Sequence, residues 1–203
     1  MKQENILFDN GFFELVKTEE DFEVEGGVKH VKRNFVRRPP GIRALIVNEK
    51  DEILLSREFR YELNDWDYRL PGGKVFESLK DYKEALENDT VFENVLKTVP
   101  KEVREEIGLI VSNPQLIKVS LAGSGVVWDL YYFEIKDYRK DENGPQLEEE
   151  EIINGYEWFK FEDIVKMCKS NEIHEDRTVG VLLTYILNSN RWERGRIVWK
   201  NIC

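Results

Sequence analysis

Residues 101–109 read KEVREEIGL, a stretch in which three glutamates surround an apolar position and a glycine follows. Residues three and four apart lie on the same face of a helix, so Glu102 neighbours both Glu105 and Glu106. Like charges at this spacing repel each other by about 0.2–0.5 kcal/mol per pair. A divalent cation would compensate, because such ions prefer carboxylate oxygens. The alternative is a solvated acidic helix face, which is what a glutamate-rich helix usually represents.

Composition limits the classes of protein to which the chain can belong. The 203 residues are 41% hydrophobic, enough for one domain with an apolar core. A net charge of −10 disfavours nucleic-acid binding, and no apolar run approaches the length of a membrane span. The first residues lack the apolar stretch of a secretory signal. Cys168 and Cys203 have no cysteine at metal-ligand spacing, which favours a reducing compartment, and we expect a cytoplasmic protein.

Apolar periodicity indicates strands and helices without strict alternation. Residues 5–36 read as an N-terminal hairpin or meander, and IRALIVNEKDEILLSREF reads as two strands around a polar turn. A helix is predicted over 78–98, and a second one over about 99–107 that ends at Gly108. Thr98 is the predicted N-cap of this second helix, and Pro100 suits its first turn. Further strands and two last helices follow, so we expect an α+β or α/β fold with a mixed sheet.

Together with LPGGK at 70–74, the opening stretch resembles the Nudix box of the Nudix hydrolases. The family pattern is G-x5-E-x7-R-E-U-x-E-E-x-G-U, where U is apolar, and residues 101–109 match its second half except that Lys101 replaces the arginine. Gly73 stands at the first glycine and Glu93 at the first glutamate. Nineteen residues separate them where the pattern has five, so 19 − 5 = 14 are inserted. Glu77 is the alternative first glutamate.

Regions outside the box resemble the ADP-ribose pyrophosphatase branch of the family. They are LLSREFRYE in the strand pair and the closing segment YEWFKFEDIVKMCKSNEIHEDRTVGVLLTYIL. The resemblance implies an α+β fold, an α/β/α sandwich with a mixed β-sheet, preceded by a small N-terminal antiparallel β element. We expect this element over residues 1–40, with a role in dimerisation and substrate binding. The Nudix hydrolase domain is expected over 41–203, with 77–98 as an inserted helix.

The resemblance also implies hydrolysis of a pyrophosphate bond in ADP-ribose or a related nucleoside diphosphate sugar. Mg²⁺ is the implied cofactor, with Mn²⁺ as the alternative, and its ligands would be Glu102, Glu106 and the carbonyl of Gly72. Glu105 would be a ligand or a carboxylate close to the ions. Structural or orienting roles would fall to Gly73, Glu93, Lys101 and Gly108, and we expect a looser role for Lys101 because lysine lacks the planar fork of arginine.

The loop QLEEEEII supplies the candidate catalytic base. In the resembling branch a loop glutamate acts at this place, and the register with Ile152 favours Glu150 and then Glu148. A glutamate run is otherwise often plain solvated loop surface.

Arginines are the candidates for substrate binding, because guanidinium groups bind phosphate bidentately. Arg60 is the first candidate, with a surface ion pair to Glu58 or Glu62 as the alternative, and Arg38 and Arg43 are further ones. We expect a homodimer, by resemblance alone. The competing function is a catalytically weak Nudix-fold protein that binds nucleotides as a sensor.

Overall fold

The computed structural model describes residues 3–189 of the chain, so Cys203 lies outside the described residues. The elements follow in chain order: β1 Gln3–Asp9, β2 Glu14–Val24, β3 Gly27–Arg37, β4 Gly41–Ile46, β5 Glu52–Arg60, β6 Asp65–Arg69, α1 Leu79–Glu87, α2 Val91–Ile107, β7 Leu109–Ser112, β8 Gln115–Ser120, β9 Val126–Val127, β10 Leu130–Ile135, β11 Asp137–Lys140, β12 Ile153–Lys160, α3 Phe161–Ser170 and α4 Asp176–Asn188. Among these residues, no helix is long and apolar enough to cross a membrane.

The sheets are mixed, as the sequence predicts. Strands β1, β2 and β3 form an antiparallel meander, and β9 joins its edge parallel to β3. Strand β10 pairs in parallel with β4 and antiparallel with β8, while β5 lies between β6 and β12. The domain boundary predicted at residue 40 falls between β3 and β4. Pairing of β3 with β9 ties the N-terminal meander to the rest of the chain.

Helices cover both faces of the central strands. Successive side chains of a strand point to opposite faces, so β4 contributes side chains to two apolar clusters. Leu45 packs in the cluster that contains residues of α3 and α4, and Ala44 packs in the one that contains residues of α2. Every residue of β4 is buried. The result is the predicted α/β/α sandwich, with α2 on one face.

Helix α2 begins earlier than the sequence analysis predicts. Its first residue is Val91, and Pro100 lies inside it. Thr98 does not cap a helix, because its hydroxyl donates to the carbonyl of Asn94 within the same helix, 2.9 Å away. An unbroken buried stripe overrides the local proline signal: Val95, Val99, Val103 and Ile107, spaced four residues apart.

The inserted segment is a separate short helix that packs on the N-terminal meander. Helix α1 is capped by Ser78, and the amide of Leu79 donates to the carbonyl of Gly11, 2.7 Å away. Lys83 forms an ion pair with the fully buried Glu14 of β2 at 2.7 Å. The single inserted helix predicted over 77–98 is therefore wrong, since the chain turns at residues 88–90 and the rest of the insertion extends α2.

Candidate active site

The turn after β6 brings its backbone close to β4 and α2, and only glycine fits there. Gly72 has a φ of +142°, and a Cβ on it would overlap the backbone carbonyl of Ile42. A Cβ on Gly73 would overlap the Glu102 carboxylate. The amide of Ile42 donates to the Gly73 carbonyl at 2.9 Å, which fixes the turn against β4. We call Gly72 and Gly73 the glycine turn.

Glu106 reaches the glycine turn from α2. Its side chain is buried, and its Oε2 accepts a hydrogen bond from the Gly72 amide at 2.8 Å. Burial raises the pKa of Glu106 to about 8, and the charge of Glu102 adds to this rise. The Gly72 amide and Arg43 oppose the rise without cancelling it. Ionisation of Glu106 is therefore disfavoured, because its surroundings only partly compensate the negative charge of the ionised form.

Glu102 and Glu105 share a lysine. Glu102 is buried, and burial raises its pKa although Lys101 lowers it. The Lys101 ammonium lies 3.4 Å from Glu102 and 3.2 Å from Glu105. The orienting role expected for Lys101 stays a prediction. Glu102 and Glu106 thus lie at the glycine turn, and Lys101 links Glu102 to Glu105.

The oxygen donors at the glycine turn suit a metal ion, although the candidate ligands do not yet converge on one point. Within residues 3–189, no three His, Cys, Asp or Glu side chains already form a group that could hold a metal ion. Repulsion between the carboxylates and their attraction to Lys101 account for this arrangement. Glu102 and Glu106 nevertheless offer hard oxygen donors, and the raised pKa of each marks the charge that a divalent cation would neutralise.

Arg43 supports the glycine turn from inside the protein. Its guanidinium donates to the Gly72 carbonyl at 2.8 Å and to Glu175 at 3.0 and 3.1 Å. Glu175 also pairs with Arg69 at 3.2 Å. Burial raises the pKa of Glu175, but Arg43 and Arg69 outweigh it and lower that pKa to about 2. Arg43 is thus placed to hold the turn rather than to reach a substrate from solvent.

The other two predicted substrate arginines have contrasting surroundings. Arg60 pairs with Glu58 at 2.6 Å and with Glu62 at 2.8 Å, which is the alternative weighed for it above. Arg38 has no such acidic partner within the described residues, and its guanidinium carbon lies 4.3 Å from the ring centroid of Trp128. Contact of either arginine with substrate stays a prediction.

The glutamates of the loop at 148–151 differ in how strongly they act on the carboxylates at the glycine turn. The charge of Glu151 contributes to the raised pKa of both Glu102 and Glu106. Glu150 lies at the loop's contact with Tyr61, whose hydroxyl donates to its carbonyl at 3.3 Å. The charge of Glu148 acts instead on Lys74. The sequence register favours Glu150 and Glu148, whereas these electrostatic contributions favour Glu151, and which loop glutamate acts stays a prediction.

The first box glutamate has two candidates, and they lie in different surroundings. Glu93 is exposed on α2 and pairs with Lys97 at 2.6 Å. Glu77 pairs with Lys74 at 2.8 Å, and the pKa of Lys74 is raised by Glu77 and also by Glu148 and Glu102. The structure thus brings Glu77, through Lys74, closer to the metal-binding candidates than Glu93.

The sequence analysis also missed Glu175. A signal for it exists, because Arg43 stands within the apolar run IRALIV and a buried arginine needs an acidic partner. Nothing in the sequence says which of the 40 acidic residues supplies that partner. Only the folded chain brings residue 175 to residue 43.

A family model supports the class of protein that the fold and this site indicate. The model described as NUDIX domain matches residues 37–179. This match covers more than half of the chain, which therefore belongs to the Nudix family and is a Nudix hydrolase. The resemblance found in the sequence is confirmed.

Individual relatives agree with this assignment. The chain is 24% identical over 160 residues to the ADP-ribose pyrophosphatase of Bacillus subtilis (strain 168), with 78% of each chain covered. It is also similar to a solved structure titled "Crystal structure of ADP compounds hydrolase", with a TM-score of 0.57 and 18% identity. That similarity covers 96% of this chain and 97% of the other, and at this identity it supports the fold alone.

Proposed function

We propose that this chain hydrolyses the pyrophosphate bond of ADP-ribose or a related nucleoside diphosphate sugar with the help of a divalent cation, Mg²⁺ or Mn²⁺. The products would be a nucleoside monophosphate and a sugar phosphate. The observation that carries the proposal is the pair of buried carboxylates, Glu102 and Glu106, at the glycine turn. The names of the relatives give the substrate class.

The residues at and around the glycine turn would have separate tasks. Glu102 and Glu106 would hold the cation, with Glu105 entering once Lys101 releases it, and the Gly72 carbonyl is the further candidate ligand. The Gly72 amide fixes the Glu106 carboxylate, and Arg43 holds the carbonyl of the same residue in place. When bound, the cation would neutralise phosphate oxygens and lower the pKa of a water molecule.

A loop glutamate would accept the proton of the attacking water. Glu150 and Glu148 are the candidates from the sequence, and Glu151 joins them because its charge acts on both buried carboxylates. A base needs only to come within hydrogen-bond reach of that water, so a loop can deliver it after the substrate binds.

The test is hydrolysis of ADP-ribose with added Mg²⁺, with products identified by mass. Glu106→Gln should lower kcat/KM by at least about 100-fold, because the lost charge stabilisation is worth several kcal/mol. The matched control is Glu87→Gln, an exposed glutamate at the end of α1, which should keep full activity. Thermal unfolding of both variants checks that they fold.

The competing function is nucleotide binding without catalysis. Lys101 favours it, because the ammonium lies between Glu102 and Glu105, where a cation would otherwise compensate them. Saturable binding of ADP-ribose with no product at any Mg²⁺ concentration would establish this function and overturn the hydrolytic one.

A further inference from the structure

Two arginines share one tryptophan beside the glycine turn. The guanidinium carbon of Arg38 lies 4.3 Å from the Trp128 ring centroid, and that of Arg177 lies 4.1 Å from it. Phe12 lies under Arg38 at 5.0 Å. We call Arg38, Trp128 and Arg177 the arginine–tryptophan cluster.

The cluster contains donors that have no acceptor. Arg38 Nε, Trp128 Nε1 and Arg177 Nη2 are shielded from solvent, and each lacks a hydrogen-bond partner among the described residues. All three are N–H groups that can only donate. Buried polar groups are nearly always paired, so three unmet donors in one cluster indicate a missing acceptor.

Carboxylates of the protein do not supply this acceptor. Neither Arg38 nor Arg177 forms an ion pair within 4 Å with any acidic residue of the described chain, in contrast to Arg43. Burial lowers the pKa of Arg38, and the charge of Arg177 lowers it further. Glu175 and Asp129 raise the pKa of Arg177 only from beyond ion-pair distance, and burial outweighs them. The cluster therefore holds two cations that no direct ion pair within the described residues compensates.

Backbone contacts place the cluster next to the glycine turn. The Arg38 amide donates to the Val127 carbonyl at 3.2 Å, and Arg177 Nη1 donates to the Trp128 carbonyl at 3.0 Å. A Cβ built on Gly41 would lie 3.7 Å from Trp128 Nε1 and 3.0 Å from the carbonyl of Gly73. All three cluster side chains remain partly exposed, which leaves an anion a route to them.

We propose that the arginine–tryptophan cluster is an oxyanion site that binds a phosphate monoester beside the metal-binding carboxylates. The dianion of a phosphate monoester, its main form at neutral pH, has only acceptor oxygens, and guanidinium groups bind it through charge-assisted hydrogen bonds. The phosphate has two possible sources. It is either a monoester on the terminal sugar of the substrate, which the pyrophosphate bond joins to the nucleotide, or free inorganic phosphate.

The first experiment titrates inorganic phosphate into the metal-free protein by calorimetry at low ionic strength. The wild type should bind one phosphate, and Arg38→Gln should weaken binding by at least about tenfold, because a charge-assisted hydrogen bond is lost. The matched control is Arg57→Gln, since Arg57 stacks on Trp66 at 5.1 Å without a second arginine. That variant should bind phosphate as the wild type does.

A second variant keeps the test decisive if Arg38→Gln does not fold. Trp128→Phe keeps an aromatic ring but removes the indole N–H, and it should also weaken phosphate binding. The absence of saturable phosphate binding in the wild type would overturn the site. So would unchanged affinity in a folded Arg38→Gln or Trp128→Phe protein. This titration needs no turnover, so its failure is distinct from failure of the proposed function.

A comparison of KM values distinguishes the two sources of the phosphate. This second experiment rests on the proposed function, because it measures turnover. Two nucleoside diphosphate sugars are compared, one with a phosphate monoester on its terminal sugar and one without. For a substrate-borne group, KM is lower for the phosphorylated compound, and Arg38→Gln raises that KM alone. For free phosphate, the two KM values are equal, and added phosphate changes both in the wild type but not in Arg38→Gln. Equal KM values with no Arg38-dependent effect of phosphate would contradict the proposal.

Discussion

Glu106 is a buried carboxylate that contacts the glycine turn directly, and Glu175 is a largely buried one that is linked to the turn through Arg43, and their pKa values move in opposite directions. The Gly72 amide donates to Glu106, and the Gly72 carbonyl accepts from Arg43, which pairs with Glu175. Burial disfavours the charge of both. Two arginines nevertheless bring the pKa of Glu175 down to about 2, whereas the pKa of Glu106 rises to about 8.

The opposite pKa shifts of the two carboxylates distinguish a structural role for Glu175 from a chemical role for Glu106. The negative charge of Glu175 is compensated by Arg43 and Arg69, so it is not available to a bound cation. The protein compensates the ionised form of Glu106 only partly, so this carboxyl keeps its proton to a higher pH, and strongly perturbed groups of this kind tend to mark functional sites. Both contacts are made to Gly72, one through its N–H and the other, by way of Arg43, through its carbonyl, so a change at either carboxylate tests the distinction.

The largest effect should follow from Glu175→Gln. This change leaves Arg43 and Arg69 buried without their shared carboxylate, and breaking a buried ion pair costs about 3–5 kcal/mol. Urea unfolding measures the loss in free energy of unfolding. Glu157→Gln, on an exposed position of β12, is the control and should change stability little. A loss below about 1 kcal/mol, the range of an exposed pair, would mean that the network does not support the turn.

Glu106 should make the metal-free protein less stable as pH rises. Between its ordinary pKa of 4.5 and the folded value of about 8, the unfolded carboxyl is ionised while the folded one keeps its proton. The folded state then binds more protons, so the free energy of unfolding falls with increasing pH. At about 1.4 kcal/mol per pKa unit, the fall between pH 5 and pH 8 should be about 3–4 kcal/mol.

Urea unfolding in a chelator across this pH range measures that slope. Glu106→Gln should remove the slope and be more stable than the wild type at pH 8. A wild-type slope that persists in Glu106→Gln would assign it to another group. Added Mg²⁺ should also flatten the wild-type slope, because the ion stabilises the ionised carboxylate.

The sequence predicts the local parts of this site better than its long-range contacts. Glycine spacing and the glutamate pattern on α2 are encoded within a few residues, so the turn and its carboxylates are found in advance. The pairing of Arg43 with Glu175 joins residues 132 positions apart, and no local pattern reports it. Pro100 misleads the sequence analysis for a related reason, since tertiary burial of the valine stripe outweighs the local cost of proline.

Two glycines provide a smaller and more local comparison. A Cβ on Gly73 would displace the Glu102 carboxylate, whereas a Cβ on Gly180 in α4 would meet nothing within 4 Å. Gly73→Ala should lower Mg²⁺-dependent activity by about 10–100-fold, the range for residues that position metal ligands. Gly180→Ala should leave activity intact and raise the free energy of unfolding by up to about 1 kcal/mol, because alanine favours helix. Full activity in Gly73→Ala would show that Glu102 need not lie against the turn.

The smallest effects should distinguish the two candidates for the first box glutamate. Glu93 pairs with Lys97 on the exposed face of α2, so Glu93→Gln should change neither activity nor thermal unfolding measurably. Glu77→Gln frees the Lys74 ammonium to attract Glu102, where it would compete with a cation. The Mg²⁺ concentration for half-maximal activity should therefore rise about two- to fivefold in Glu77→Gln alone, the scale of a partly exposed ion pair. The reverse result would place the first box position at Glu93 and mean that spacing along the helix, rather than charge near the turn, decides which glutamate serves the site.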